Sequence, residues 1–478
     1  MKRRTFLTGT ALGAALTAVP LATLRTANAA EKGATLAVGS LNELQKAING
    51  ATPGAKIVLA NGTYTVPSGT SIDVSGKNGT PDAPITISAA SRGGAVLRGE
   101  RGFTFSDSSN ITVTGFSFRQ STTLEIPATC SRIRLTRNDF QLADVEGLHW
   151  VMVRADDSKV DRNHFHGKTT LGVFLCVEGA GSTAMAQRVH ILRNHFSDHS
   201  FAGANGGEPI RLGVSSRALS GARAVVEYNL FERCDGDPEA ISVKSSDNTV
   251  RYNTIRDSAG GIVLRHGNRT RVEGNHLLGG KEGLRLYGND HLVLNNFVAG
   301  LSGRALVVGS GSTRDHNSAE TPEQRRGNDA CDRAVIVHNT LIGNAGTLSG
   351  ETRDYEPQKV VIADNLLVGD SGDLVAMGKT TGFTWQSNIL WGGAANGNIP
   401  SGTFTRVDPL LREDSDGVSR LTAGSPAIGK ATLGSPAVTD DIDGHPRGST
   451  RDIGADEYAT TAPVRRPLTA ADVGPNAS

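Results

Sequence analysis

The stretches TVRYNTI (residues 249–255), TRVEGNHL (270–277) and LVLNNFV (292–298) carry one phrase: a few alternating β-formers, an Asn, one further residue and an apolar one. Their asparagines, Asn253, Asn275 and Asn296, are 22 and 21 residues apart. Working outward, the phrase recurs at Asn138, Asn163, Asn194 and Asn229 on one side and at Asn339, Asn365 and Asn388 on the other. Successive steps are 25, 31, 35, 24, 22, 21, 43, 26 and 23 residues. Gly115, in NITVTGFSF, holds the Asn place in an earlier copy. A basal step of 21–26 residues with occasional insertions marks a solenoid. Leucine-rich repeats share the period, but their Leu spacing and helical segments are missing. An antiparallel sandwich would need ten Asn turns to fall in register by coincidence. The pattern predicts an all-β chain folded as a right-handed, single-stranded parallel β-helix. Because Asn tolerates the left-handed backbone region, it is expected at a tight corner, its side chain bonding coil to coil.

The ends depart from the pattern, as solenoid caps do. SLNELQKAING (40–50) has helical spacing and predicts a short N-terminal capping helix. Residues 1–29 read as a twin-arginine signal peptide: Arg3-Arg4 before Phe6-Leu7, a mild apolar run, then Ala27-Asn28-Ala29 as a cleavage site. That implies a protein exported from a bacterium, secreted or periplasmic. The β-helix is assigned to 30–460, and the Ala/Thr/Pro-rich residues 461–478 are expected to be disordered. No later segment is apolar enough to span a bilayer, so no membrane partner is expected. The 478 residues include 58 Gly and only 5% aromatics, which calls for a thin aliphatic core. Net charge is +1, or −3 once Lys2, Arg3, Arg4 and Arg25 are removed with the signal, so nothing points to a nucleic-acid partner. Cys130, Cys176, Cys234 and Cys331 match no zinc pattern and read as small buried apolar residues.

The longest middle insertions surround residues 198–222 and 300–330, and insertions in a solenoid become loops, often on the binding face. Between them lie GANGGEPIRLG (203–213), DGDPEAISVKS (235–245) and GIVLRHG (261–267). Lys244 and Arg265 are 21 residues apart, one local step, and are expected one above the other. Asp237 and Glu239 share a strand side, and a bend or bulge is needed to bring Lys244 alongside them. Two carboxylates plus the amide oxygen of Asn205 suit a hard cation such as Ca²⁺. A lysine beside a cation can serve as a base. Together these groups fit β-elimination on a uronic acid, with Lys244 as base and Arg265 as acid or charge stabiliser. Arg211, His266, Arg285, Tyr287 and Lys168 are candidate substrate-binding groups for a polyanion. His164, His195 and His276 each follow a repeat Asn and read as corner residues.

NGGEPIR, DGDPEAISVKSSDN and LRHGN resemble the core motifs of polysaccharide lyase family 6, the family of alginate lyases and chondroitinase B. The opening AINGATPGAKIVLANGTY, the GLRLYGNDHLVLNN stretch and the ending DIDGHPRGSTRDIGADEY are similar too, so the resemblance spans most of residues 36–458. It implies Asn205, Asp237 and Glu239 as calcium ligands, Lys244 as base and Arg265 as acid. Asp237 stands where the family usually has Glu. The implied activity is Ca-assisted cleavage of an anionic polysaccharide, alginate first and chondroitin B (dermatan sulfate) second. Two other classes are compatible with a β-helix: a glycoside hydrolase using the two carboxylates, or a non-catalytic carbohydrate-binding protein.

Overall fold

The computed structural model describes residues 35–434 and 437–478, and the signal-like residues 1–29 lie outside them. Three long parallel sheets of 14, 14 and 11 strands run the length of the molecule. From Leu124 onward each coil supplies one strand to each sheet. Thr249–Arg251 enters the first, Thr254–Arg256 the second and Gly261–His266 the third, before Arg271–Glu273 returns to the first. This is a parallel β-helix, as the repeat predicts. Inward side chains are mostly aliphatic, and a stack of phenylalanines, Phe118–Phe140–Phe165–Phe196–Phe231, runs through them with ring centroids 4.6–5.0 Å apart. The capping helix, Leu41–Asn49, begins at Ser40, whose hydroxyl accepts from the Glu43 N–H, and buries Leu44, Ala47 and Ile48 on the first coil. All four cysteines are buried and unbonded.

The asparagines form one continuous ladder. Each Oδ1 accepts from both the backbone N–H and the side-chain amide of the Asn one coil earlier, from Asn138–Asn163 through to Asn365–Asn388. Each side-chain amide also donates to a main-chain carbonyl of the preceding coil, as Asn253 does to Val226 at 2.9 Å. All ten are buried. The left-handed corner, however, belongs to the residue before the Asn. Arg137, Arg162, Arg193, Tyr228, Tyr252, Asn295, His338, Asp364 and Ser387 all have φ between 52° and 56°, and Gly274 fills the same place at 61°. Gly115 (φ 79°) aligns with Arg137, and Phe116 with Asn138, so Gly115 occupies the corner and not the Asn place. The Asn side chain needs an ordinary backbone to reach along the coil axis, which leaves the sharp turn to its neighbour.

That displacement explains the C-terminal segment. Residues 461–478, expected to be disordered, run back over these corners and bury Leu468 and Val473. The corner side chains hold the segment that follows the last coil. Asp364 accepts from the N–H groups of Thr432 and Leu433, and Asn295 donates to the Asp440 carbonyl. Arg465 lies 4.2 Å from the Tyr252 ring centroid. Arg137 donates to the carbonyls of Pro475 and Ala477. A composition poor in large apolar groups is thus ordered by polar docking.

Asn253→Ala removes the acceptor of the buried Asn229 N–H and a side-chain donor to the Val226 carbonyl. At about 1–3 kcal/mol for each group, stability should fall by roughly 2–4 kcal/mol, read as a lower denaturation midpoint at unchanged m-value. Truncation after residue 462 should lower the melting temperature without changing the strand signal in circular dichroism.

Candidate active site

The site sits on the outer face of the third sheet. Ile210–Leu212, Glu239–Lys244, Gly261–His266 and Leu284–Leu286 pair in sequence. Ile241, Val243, Ile262 and Leu264 fill the core, so the register sets Arg211, Ser242, Val263 and Arg285 in one outward column. Two irregularities interrupt the ladder. Glu239 pairs with Gly261 and Ile241 with Ile262, leaving Ala240 as an extra residue. This is the bulge the sequence called for, and it turns Glu239, Ser242 and Lys244 to one side. The second lies between the pairs Val243–Leu264 and Lys244–His266, where Arg265 is the extra residue. Lys244 therefore faces His266, not Arg265 as the 21-residue step implied. The bulge keeps Arg265 at the same end of the sheet.

Lys244 is mostly buried, and its Nζ donates to Glu208 Oε1 at 3.0 Å. Glu208 belongs to the preceding coil, within NGGEPIR. Its other oxygen, Oε2, is buried without a hydrogen-bond partner. Burial would raise the Glu208 pKa, but Lys244 and Arg211 outweigh it and hold the group below its ordinary value. Asp237 Oδ1 accepts from the Glu239 N–H at 3.0 Å, and Oδ2 from the Gly207 N–H at 3.3 Å. Burial, then the charges of Glu208 and Glu239, push Asp237 up to about 7. Glu239 accepts from Ser242 Oγ at 2.5 Å and from Arg285 Nη2 at 3.1 Å. Three carboxylates thus lie in one neighbourhood with one oxygen unsatisfied, oxygen donors of the kind a hard divalent cation takes. Asn205 lies exposed on the loop just before Gly207.

The remaining residues fall into two groups. Arg211 is packed 3.3 Å from His149 and 3.9 Å from Glu178. His266 is 4% exposed, and burial, then Arg265 and Lys244, lower its pKa to about 3, so it is neutral. Tyr287 is fully buried, and its hydroxyl donates to Glu351 at 2.8 Å. Its ring is bordered by Arg265, Arg285 and Arg353 at 5.6–6.0 Å. Its hydroxyl is thus already engaged, and its ring lies among three cations. Among the described residues, Arg265 has no carboxylate within ion-pair distance, whereas Arg211 and Arg285 each have one. Lys168 does not join the site. It is fully buried on the second sheet, donates to Thr170 Oγ1 at 3.0 Å and lies over Trp150, so its charge is used internally.

The two insertions meet beside this end of the sheet. Ser215–Arg217 and Gln324–Arg326 form short 3₁₀ turns, joined by Arg325 donating to the Ser216 carbonyl at 3.3 Å. His316, on the second insertion, packs its ring 6.4 Å from that of His266. Glu208 was missed in the sequence reading, although its offset of 36 residues from Lys244 is close to the 35-residue step between Asn194 and Asn229.

Residues 38–391 match the profile of the family described as Chondroitinase B. The structure is similar to that of the PL6 family alginate lyase AlyGC, at 26% identity and a TM-score of 0.72, covering 82% of this chain and 56% of that one. This chain thus spans little more than half the length of that relative. It is also similar to a mannuronic acid specific family 6 lyase from human gut microbiota (23% identity, TM-score 0.68, covering 78% and 91%). A third similar structure is the alginate lyase AlyF-OU02 in complex with G6 (20%, 0.67, covering 91% and 98%). No curated protein matches.

The raised Asp237 pKa carries a sign. Below about pH 4 the carboxyl is protonated whether the chain is folded or not. Between its ordinary value of 3.8 and about 7 the unfolded chain ionises first, so stability falls as pH rises through that window. In chelator this should cost on the order of 4 kcal/mol by pH 8. Urea unfolding from pH 4 to 8 should show the slope in the parent and a flatter profile in Asp237→Asn. Identical slopes would remove Asp237 as its source.

Proposed function

Because this chain belongs to the chondroitinase B family, polysaccharide lyase family 6, we propose that it cleaves a uronate-containing anionic polysaccharide, alginate in the first instance, by β-elimination. The observation that carries this reading is the juxtaposition at one end of the third sheet of Lys244, tied to a buried carboxylate, and Arg265, a cation with no carboxylate of its own. A glycoside hydrolase would need two carboxyl groups free to act across the bond. Here Asp237 is bound by two backbone N–H groups and Glu239 by Ser242 and Arg285, which weighs against hydrolysis.

In the proposed reaction, Lys244 is the base that takes the proton at C5 of the uronate. The electron pair moves first into the carboxylate and then into a C4–C5 double bond as the C4–O bond breaks. Arg265 meets the departing oxygen with its N–H groups, offsetting the charge that builds there and supplying a proton. Buried, neutral His266 is paired with Lys244 across the two coils and adds no charge of its own. Arg211 and Arg285, one coil either side of the Ser242–Val263 pair, flank the reacting sugar with positive charge. Asp237, Glu239 and Glu208, with Asn205 on the adjoining loop, would hold Ca²⁺, whose charge neutralises the substrate carboxylate and acidifies the C5 proton. Residues 1–29 fit export by the twin-arginine route, which would bring the folded enzyme to its polymer outside the cytoplasm.

Polymannuronate, polyguluronate, mixed alginate and dermatan sulfate, each with Ca²⁺ or with chelator, should be scored by the ultraviolet absorbance of unsaturated uronate ends. Turnover is expected on at least one alginate substrate and should fall in chelator. Lys244→Ala and Arg265→Ala should each lose about 10³-fold or more in kcat. New reducing ends without unsaturation would replace this reading with hydrolysis. Binding without turnover on every polymer would replace it with adhesion.

A further inference from the structure

A second cluster of metal-ligating groups lies on a different sheet, outside the machinery above. Asp139 and His164 are paired on adjacent coils of the second sheet, and His166 is two residues along the same strand, so all three point outward on one face. One potential ligand atom from each lies within 4.8 Å of the other two. Asp139 Oδ2 is 3.0 Å from His166 Nε2 and 3.8 Å from His164 Nδ1. Ligands around a tetrahedral ion at about 2.0–2.1 Å stand roughly 3.3 Å apart, so small side-chain shifts suffice to close the set.

The far side of the cluster is also built. His164 Nε2 lies 3.0 Å from Ser197 Oγ, which fixes the ring and leaves Nδ1 facing Asp139. Arg119 grips the other oxygen of Asp139 in a close ion pair. Orientation of a liganding imidazole through its second nitrogen is the usual support of a metal site. The rings of His164 and His166 are stacked at 4.2 Å, and His195 stacks on His164 at 4.5 Å. The three side chains are 21–27% exposed, which leaves the remaining coordination positions open to water.

We propose that Asp139, His164 and His166 form a binding site for a borderline divalent transition metal such as Zn²⁺, separate from the oxygen-only carboxylate set of the third sheet. Two imidazoles and one carboxylate select such a metal over Ca²⁺. Because Asp139 and His164 lie on successive coils, the ion would pin one coil to the next. The test uses the full chain, stripped with chelator and titrated with Co²⁺ in the presence of excess Ca²⁺. The expected result is a single equivalent with visible cobalt bands, displaced by Zn²⁺, and a higher melting temperature in Zn²⁺. His166→Gln should abolish the bands while its circular dichroism stays that of the parent. Ser197→Ala should weaken binding about 10-fold, and His195→Gln, outside the ligand set, should keep one equivalent. Absence of cobalt bands in the parent, or bands of equal intensity in a folded His164→Gln/His166→Gln double variant, would overturn the assignment.

Discussion

Everything in this molecule is hung on the hydrogen bonds between asparagines on successive coils. A parallel solenoid has a recurring difficulty at its corners, where the chain leaves one sheet for the next and its backbone groups lose their ladder partners. A buried Asn at each corner supplies two donors and a bifurcated acceptor, and the next coil presents the same set in the same place. Since each Asn is both host and guest, the row is cooperative along its length. Register on all three sheets follows, because one fixed corner per coil fixes the phase of the strands on either side.

Against that regular frame, the candidate active site is made from departures. Two bulges in one strand pair swing Glu239, Ser242 and Lys244 to one side and draw Arg265 out of the count. Bulges are a common way to re-aim side chains near functional sites. The frame can carry the resulting concentration of buried charge because its core is continuous above and below. Asp237, driven towards its neutral form by burial and then by two neighbouring carboxylates, and Glu208, with an unpaired oxygen, are costs that a bound cation would offset.

The period and the fold class were legible from residue spacing, since they depend on counting, and the candidate site was placed by that spacing together with the resemblance of its motifs. What escaped depends on contacts that counting does not encode. A one-residue slip at Arg265 exchanged the partner of Lys244 from Arg265 to His266. Glu208 was hidden because the insertion before it stretches the local step to 35 residues. Lys168 carries the chemistry of a binding residue, yet Trp150 and Thr170 enclose it. The corner residue was misassigned by one position because Asn has a known tolerance for left-handed backbone, whereas here Arg, Tyr, His and Asp bear that strain.

Those strained corners also give the molecule a way to count itself. An open solenoid is indifferent to its number of coils, and gaining or losing one merely changes its length. Here the returning C-terminal segment meets Asp364, Asn295, Tyr252, Arg193 and Arg137 in turn, each at a set distance along the stack. A duplicated or deleted coil would throw every later docking point out of step with the segment. The same clasp follows in sequence every coil it closes over, so those coils become one closed unit only after all of them are in place.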